Sequence, residues 1–288
     1  MSELGAIPFR KMNGLGNDFV VVDIRTRPVA FSNAIVRAIA DRDTGIGCDQ
    51  FILIEPPRAG GDCFMGIRNA DGDEVEACGN AARCITALML DETGKDQVTV
   101  ETIGAITKGW RAANGDITVD MGTPKLQWDQ IPLSEEIRDT RGIELQIGPI
   151  DAPILHTPAA VNMGNPHAIF FVDDIEAIDL TQVGPLLENH PMFPERANIS
   201  LAHVTDRGHI DLKVWERGVG LTKACGTAAC AAAVAGARKR LTDRVSTVSL
   251  PGGNLQLEWR ENDDHVLMTG PATFDYDGEL DSRFFEAA

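Results

Sequence analysis

Several features that would place a protein in a broad functional class are scarce or missing in this sequence of 288 residues. It has no apolar run of the roughly 18–20 residues that span a bilayer. Lysine and arginine number 26 against 43 aspartates and glutamates, a net charge of −17. Nucleic acids and anionic membranes bind clustered positive charge, so neither is an expected partner. The first ten residues lack a basic leader followed by an apolar stretch, so we expect a cytoplasmic protein with reduced cysteines.

Metal and cofactor signatures are missing as well. The six histidines do not cluster near the six cysteines, and no two cysteines form a Cys-x-x-Cys pair. A structural zinc site is therefore not expected. The sequence has neither a Gly-x-Gly-x-x-Gly fingerprint nor an evident lysine context for pyridoxal phosphate, so we predict no metal and no cofactor. A thiol redox or metal-binding protein is the alternative from another class, and its usual signatures are not present.

Short runs of β-type residues alternate with turn residues along most of the chain, while helical patterns are few. The predicted strands include 19–24, 51–55, 97–101, 117–121, 168–172, 209–215, 245–250, 255–259 and 265–269. The predicted helices are 33–41, 80–91 and 227–241, the last two rich in alanine. This balance predicts an α+β fold rather than a doubly wound α/β fold.

The sequence contains an internal repeat. The segment Ala-Cys-Gly-Asn-Ala-Ala-Arg-Cys that begins at Ala77 matches Ala-Cys-Gly-Thr-Ala-Ala-Cys at Ala224, 147 residues later. A Gly-Asn turn at Gly16 matches one at Gly164, 148 residues later and in the same order. Two ordered matches at nearly one offset indicate two homologous halves. We predict one domain of residues 1–124 with 276–288, and a second of residues 125–275.

In each half, a cysteine and a glycine precede a residue type that commonly begins a helix. A thiol beside the unpaired amides of a first helical turn is expected to have a lowered pKa, and the same amides suit a carboxylate. If Cys78 and Cys225 meet across a cleft, one thiolate can remove an α-proton while the other thiol returns a proton to the opposite face. This predicts an amino-acid racemase or epimerase that needs no cofactor. The other cysteines fit a structural role: Cys48, Cys63, Cys84 and Cys230.

These motifs together resemble the diaminopimelate epimerase family along nearly the whole chain. The matching segments, in the family's order, are KMNGLGNDF at 11–19, GCDQ at 47–50, NADG at 69–72, ACGN at 77–80, GNPH at 164–167, WERG at 215–218 and ACGT at 224–227. The resemblance implies two pseudo-symmetric domains, each a curved, mostly antiparallel sheet wrapped around a central helix. It also implies interconversion of LL- and meso-diaminopimelate in lysine and cell-wall precursor synthesis, with Cys78 and Cys225 as the two bases.

The resemblance further implies roles for other residues. The distal amino-acid end of the substrate is expected to contact Asn17, Asn69, Asn165, Asn198 and Arg217, and Gln50 lies at another binding position of the family. Glu216 can accept a hydrogen bond from the distal ammonium. The reacting carboxylate is expected at the backbone of Gly79, Asn80, Gly226 and Thr227. His167 and Glu216 are expected to tune the cysteines, and Tyr276 is expected in the contact of a homodimer. Asparagines suit a zwitterion because they both donate and accept hydrogen bonds, while an arginine can bind a carboxylate through two.

Sister enzymes on the same fold are the nearest alternatives. They are a racemase for another amino acid, a proline-racemase-like enzyme and a phenazine-pathway isomerase. Asn69, Asn198 and the Glu216–Arg217 pair favour diaminopimelate, because a proline-racemase-like enzyme would not need such distal groups. A phenazine-pathway isomerase would not require both cysteines. Which cysteine is the resting thiolate stays open from the sequence.

Overall fold

A computed structural model describes the backbone of residues 6–286 and the side chains of residues 6–285. The strands are β1 (Ile7–Gly14), β2 (Asn17–Asp23), β3 (Gln50–Glu55), β4 (Cys63–Asn69), β5 (Gln97–Glu101), β6 (Ile106–Arg111), β7 (Ile117–Asp120), β8 (Gln146–Ile147), β9 (Leu155–His156), β10 (Ala159–Asn162), β11 (Pro166–Phe171), β12 (Asn198–Asp206), β13 (His209–Glu216), β14 (Gly220–Thr222), β15 (Val245–Leu250), β16 (Gly253–Trp259), β17 (Val266–Gly270) and β18 (Thr273–Leu280). The helices are α1 (Asn33–Ala40), α2 (Gly79–Thr93), α3 (Leu180–Glu188), α4 (Gly226–Arg238) and α5 (Arg283–Glu286).

These elements fall into two compact units. The first comprises the described residues of Met1–Val119 and Gly270–Ala288, and the second is Asp120–Thr269. The predicted domain boundaries, at 124/125 and 275/276, stay predictions. Among residues 6–286, no helix combines the length and the apolar character that a bilayer crossing needs.

The two units repeat one order of elements, which confirms the internal duplication. The first runs β1, β2, α1, β3, β4, α2, β5, β6, β7, and the second runs β10, β11, α3, β12, β13, α4, β15, β16, β17, with the short β14 before α4. Corresponding strands also pair in the same sense: β2–β3 and β4–β5 are parallel, as are β11–β12 and β13–β15. The other pairs described within each unit are antiparallel. Each unit therefore contains a mixed, mostly antiparallel sheet with few helices.

A central helix packs on the sheet of each unit. Ten of the thirteen residues of α4 are buried, and α4 packs against β10–β13, β15 and β16. A helix that is apolar on every side is buried on every side, and small alanine side chains let the strands approach it closely. At Gly236 a Cβ would lie 2.6 Å from Thr242 Oγ1, so the glycine lets the turn after α4 lie against the helix. In the first unit α2 has eleven of fifteen residues buried and packs against β1, β5 and β6.

The predicted elements are present, with ends that differ by no more than three residues. Helix α3 was not predicted, because Gly184 and Pro185 interrupt its apolar pattern and both residues are typical of loops. It nevertheless forms, with an N-cap bond from Thr181 N to Asp179 and an apolar face that packs on the second unit's core. Tertiary packing therefore overrides the local preference at this helix.

Candidate functional site

The first unit places Cys78 at the start of α2. Cys78 is the N-cap residue, with an extended backbone, and its Sγ accepts a hydrogen bond from Ala81 N at 3.5 Å. Helix α2 therefore begins at Gly79, and the predicted start at Asn80 is wrong by one residue. The difference matters because the cysteine itself occupies the position whose side chain faces the amides of the first turn.

A directed series of hydrogen bonds leads to Asn17 beside Cys78. Asn80 Nδ2 donates to Asn17 Oδ1 at 3.4 Å, and Asn17 Nδ2 donates to Asp49 Oδ2 at 3.1 Å. At one end Arg83, which can only donate, contacts Asn80 Oδ1 at 3.1 Å, and at the other end the carboxylate can only accept. The two ends fix the orientation of both amides. Asn17 Oδ1 consequently faces the Cys78 sulfur, at 3.8 Å.

Both ends of this series have further partners. Arg83 is fully buried and also donates to Pro271 O at 3.2 Å. Asp49 accepts from Arg42 Nη2 at 2.7 Å and from Asp18 N at 3.0 Å. The sequence patterns singled out neither Arg83 nor Asp49. An arginine within an alanine-rich apolar helix was the signal that could have found the first of them.

Gln50 and Asn69 lie opposite each other on β3 and β4, and Gln50 Nε2 donates to Asn69 Oδ1 at 3.1 Å. Gln50 Oε1 is buried and has no hydrogen-bond partner within residues 6–285. An unpaired buried acceptor is unfavourable, and a ligand that donates to it removes that cost. The atom is therefore suited to a substrate ammonium.

Both central helices offer backbone amides at their starts. Gly79 and Asn80 are the first two residues of α2, and Gly226 and Thr227 are the first two of α4. The first amides of a helix have no carbonyl partner within the helix itself, and the helix dipole favours an anion there. A carboxylate is the ligand class that such amides suit.

In the second unit Cys225 is the N-cap residue of α4 and is buried. Its sulfur lies 3.5 Å from Thr227 Oγ1, and its thiol donates to the carboxylate of Glu216. The same carboxylate accepts from Thr222 Oγ1 at 2.5 Å. Cys225, Glu216 and Thr222 thus form one hydrogen-bonded group at the start of α4. Thr222 was not predicted as part of it.

The protonation of this group differs from the sequence-based expectation. Burial, and then the Glu216 carboxylate, raise the pKa of the Cys225 thiol well above its ordinary value. The prediction that a helix start lowers the thiol pKa is wrong for Cys225, because desolvation and a neighbouring negative charge outweigh the helix dipole. Burial also raises the pKa of Glu216, although the hydrogen bond from Thr222 opposes the effect. Cys225 is therefore a thiol at neutral pH.

His167 is fully buried on β11, and its Nε2 lies 2.7 Å from Asn165 Oδ1. With that oxygen as the acceptor, Nε2 carries the hydrogen, and Nδ1 has no partner among residues 6–285. Burial, and then the Arg217 guanidinium, lower the pKa of the imidazole to about 3. The ring is therefore neutral at physiological pH, with Nδ1 available as an acceptor.

Asn198 and Arg217 are joined at the turn that follows β13. Asn198 Oδ1 accepts from Arg217 N at 3.0 Å, and Asn198 Nδ2 donates to Pro166 O at 3.1 Å. Arg217 Nη1 donates to the backbone oxygen of Glu195 at 3.0 Å. Among residues 6–285 Arg217 forms no ion pair, so its charge is available to a ligand carboxylate.

The remaining cysteines are buried, and none of the six cysteines, all of which lie in the described residues, forms a disulfide. Burial raises the pKa of Cys48 to about 11 and those of Cys63 and Cys84 to about 12, which fits the structural role predicted for them. In the part of the chain that the structure describes, no group of three or more histidine, cysteine, aspartate or glutamate side chains is arranged to hold a metal ion.

Comparison with known proteins decides the family. The family model for diaminopimelate epimerase matches residues 9–127 and 159–275. The diaminopimelate epimerase of Rhodopseudomonas palustris (strain BisB18) is 57% identical over 289 residues, covering 100% of this chain and 99% of that protein. The diaminopimelate epimerase of Afipia carboxidovorans is 56% identical with the same coverage. This chain belongs to the diaminopimelate epimerase family.

Membership of the diaminopimelate epimerase family establishes the activity. The chain is an isomerase, an epimerase of the amino acid diaminopimelate in lysine biosynthesis. The family, the reaction and the substrate predicted from the sequence are confirmed. The thiol redox and metal-binding alternatives are not supported.

Solved structures of more distant proteins share the fold. A hydroxyproline epimerase from Agrobacterium vitis aligns with a TM-score of 0.67 at 13% identity, covering 97% of this chain and 94% of the other. A phenazine biosynthesis protein of the PhzF family from Bacillus anthracis aligns with a TM-score of 0.67 at 15% identity, covering 96% of this chain and 99% of the other. At such identities the likeness shows the fold alone, and it confirms the predicted fold class.

Proposed function

We propose that Cys78 and Cys225 are the two bases that interconvert LL- and meso-diaminopimelate without a cofactor. One cysteine, as thiolate, removes the α-proton, and the other, as thiol, delivers a proton to the opposite face of the same carbon. The negative charge that develops spreads onto the adjacent carboxylate. The first amides of α2 and α4, at Gly79, Asn80, Gly226 and Thr227, would hold that carboxylate and stabilise the charge.

The positions of the two cysteines carry this proposal. Each caps the central helix of its unit, at the corresponding place in the repeated order of elements. A sulfur at an N-cap lies beside amides that favour negative charge. Cys84 instead lies within α2, where its buried side chain contributes only to packing. Because the Cys225 thiol is buried and donates to Glu216, we infer that Cys225 is the proton donor and Cys78 the base in one direction of the reaction. That turnover leaves the proton on Cys78 and Cys225 as the thiolate, so the two cysteines exchange roles for the other isomer.

Beyond its reacting carboxylate, the substrate is proposed to bind polar side chains that the sequence pointed to: Asn17, Gln50, Asn69, Asn165, Asn198, Glu216 and Arg217. The unpaired Oε1 of Gln50 supports an ammonium contact, and the unpaired charge of Arg217 supports a carboxylate contact. His167 and Glu216 are proposed to tune the cysteines. Glu216 has a direct route, through its hydrogen bond with Cys225.

Single cysteine substitutions test the assignment of the bases. In Cys78→Ala and in Cys225→Ala we expect epimerisation to fall by about 10²–10⁴-fold, because each removes a group that transfers a proton in the transition state. Cys84→Ala is the matched control, since it removes a buried sulfur from the helix that Cys78 caps, and it should keep most of the activity. Circular dichroism checks that all three variants fold. Near-native turnover in either base variant would show that the assignment is wrong.

The active form is proposed to be a homodimer that contacts through β18, in the cytoplasm, where thiols that form no disulfide stay reduced. Strand β18 lies at the outside of the first unit's sheet and pairs with β1. Its Phe274 and Tyr276 are 51% and 47% exposed, and large aromatic side chains on a sheet edge suit another protein surface. Sedimentation velocity should give a dimer for the native chain and a monomer for Tyr276→Lys. A dimeric Tyr276→Lys would exclude this contact.

A further inference from the structure

We propose that Glu188, at the end of α3, is a positioning residue that fixes the turn presenting Glu216 and Arg217 to the distal end of the substrate. The inference rests on the proposed function, in which these two residues bind that end. Glu188 is buried, with 5% of its surface exposed. Its carboxylate contacts the neighbours of Glu216 and Arg217 in the sequence and so acts through the backbone that carries them.

Three donors converge on the Glu188 carboxylate. Trp215 Nε1 donates to Oε2 at 2.7 Å, and Gly218 N donates to Oε1 at 2.9 Å. Arg196 Nη1 donates to Oε1 at 3.2 Å. Trp215 and Gly218 are the residues immediately before and after the Glu216–Arg217 pair. One buried carboxylate therefore holds this pair from both sides.

The turn itself has little freedom once these bonds form. It joins β13 to β14, with Glu216 paired to Gly220 and with Val219 N donating to Glu216 O at 3.1 Å. Gly218 has φ of +76°, a conformation that favours glycine. The amide of residue 217 is bound by Asn198 and the amide of residue 218 by Glu188, so two successive peptide planes are held by buried side chains.

Helix α3 is shaped to bring the carboxylate to this turn. Gly184 and Glu188 are four residues apart, so they lie on one face of the helix, one turn from each other. A Cβ at Gly184 would lie 2.6 Å from ring atoms of Trp215, so the glycine is what lets the indole lie against the helix. The indole N–H then reaches Glu188. The backbone oxygen of Glu188 also accepts from Ala197 N at 3.3 Å, next to Asn198.

Glu188→Gln tests the inference because it keeps the shape of the side chain and turns one acceptor into a donor. All three neighbours of the carboxylate donate, so the new amide opposes at least one of them in either orientation. We expect KM for diaminopimelate to rise about tenfold or more and kcat to fall by a smaller factor, because the turn carries two ligands of the distal end and only Glu216 also contacts Cys225. An unchanged KM in the folded variant would overturn the inference.

A second substitution separates positioning from a general loss of stability. Trp215→Phe removes the indole donor, so in Glu188→Gln/Trp215→Phe the amide nitrogen can face the ring while the oxygen keeps Gly218 N and Arg196. KM of the double variant should return to within about threefold of the native value. In the double variant no indole N–H faces the new amide nitrogen. If Glu188→Gln alone does not fold, the double variant can therefore test the inference by itself. A folded double variant with KM still raised about tenfold would contradict the positioning role.

Two controls distinguish a failure of the proposed distal site from a failure of the role of Glu188. Glu101→Gln alters another buried carboxylate, 2% exposed, which accepts from three backbone amides in the first unit, and it should leave KM unchanged. Arg217→Met removes the proposed ligand of the distal carboxylate. If Arg217→Met leaves KM unchanged, the proposed distal site is wrong. If it raises KM and Glu188→Gln does not, the distal site stands and only the role of Glu188 is wrong.

Discussion

The neutral state of His167 makes the stability of the second unit sensitive to acid. Burial lowers the pKa of His167 to about 3 in the folded chain, against roughly 6.5 when the chain is unfolded. Between these two pH values the unfolded state binds one more proton than the folded state, so the free energy of unfolding decreases as the pH falls. The slope is about 1.4 kcal/mol per pH unit, so the loss at pH 4.5 is about 3 kcal/mol relative to neutral pH.

Urea denaturation of the native protein and of His167→Asn, at pH 7.5 and at pH 4.5, measures this effect. Asparagine does not titrate, so the native protein should lose about 3 kcal/mol more than His167→Asn between the two pH values. His156→Asn, which changes an exposed ring, should follow the native protein. The ring signals of His167 in NMR spectra should also stay constant from pH 8 to pH 5. A His167 titration with its midpoint between pH 6 and pH 7 would refute the neutral, desolvated ring.

Three further predictions each concern one contact. Thr222→Val removes a hydrogen bond that lowers the pKa of Glu216, so the pKa of Glu216 should rise further. The acid limb of the profile of kcat against pH should then move to higher pH, and an unmoved profile would argue against a role for Glu216. Arg83→Met removes a donor to the buried Asn80 Oδ1 and to the partly buried Pro271 O, and urea denaturation should show a loss of about 1–3 kcal/mol. Gly184→Ala brings a Cβ against the ring of Trp215, so stability should fall by about 1–3 kcal/mol and KM should rise with it. Native stability in either of these two variants would contradict the corresponding packing.

The duplication made much of the fold and both cysteines predictable from the sequence. Alanine-rich helices and the glycines that precede them are local features, and their recurrence 147 residues apart marks Cys78 and Cys225 as equivalent. The strands were also predictable, because runs of β-type residues bounded by turn residues are local features of the sequence.

The rest of the candidate site depends on contacts between segments that are distant in the sequence. Helix α3 was hidden by Gly184 and Pro185, and with it the role of Glu188, whose donors come from residues 196, 215 and 218. The pKa of Cys225 was predicted in the wrong direction because the helix dipole is visible in the sequence while burial is not. Glu216 was recognised as a site residue, but its hydrogen bond with Cys225 becomes visible only in the fold.

Epimerisation in D₂O, followed early in the reaction with each isomer supplied separately, tests most directly that two bases act on one α-carbon. Deuterium at the α-carbon is measured in the product and in the remaining substrate. With two bases, the removed proton stays on one sulfur and the new hydrogen comes from the other, so the product gains deuterium while the remaining substrate keeps its hydrogen. We predict this outcome from both isomers. Transfer of the substrate's own α-hydrogen into the product, or deuterium entering the substrate as fast as the product, would contradict the two-base account.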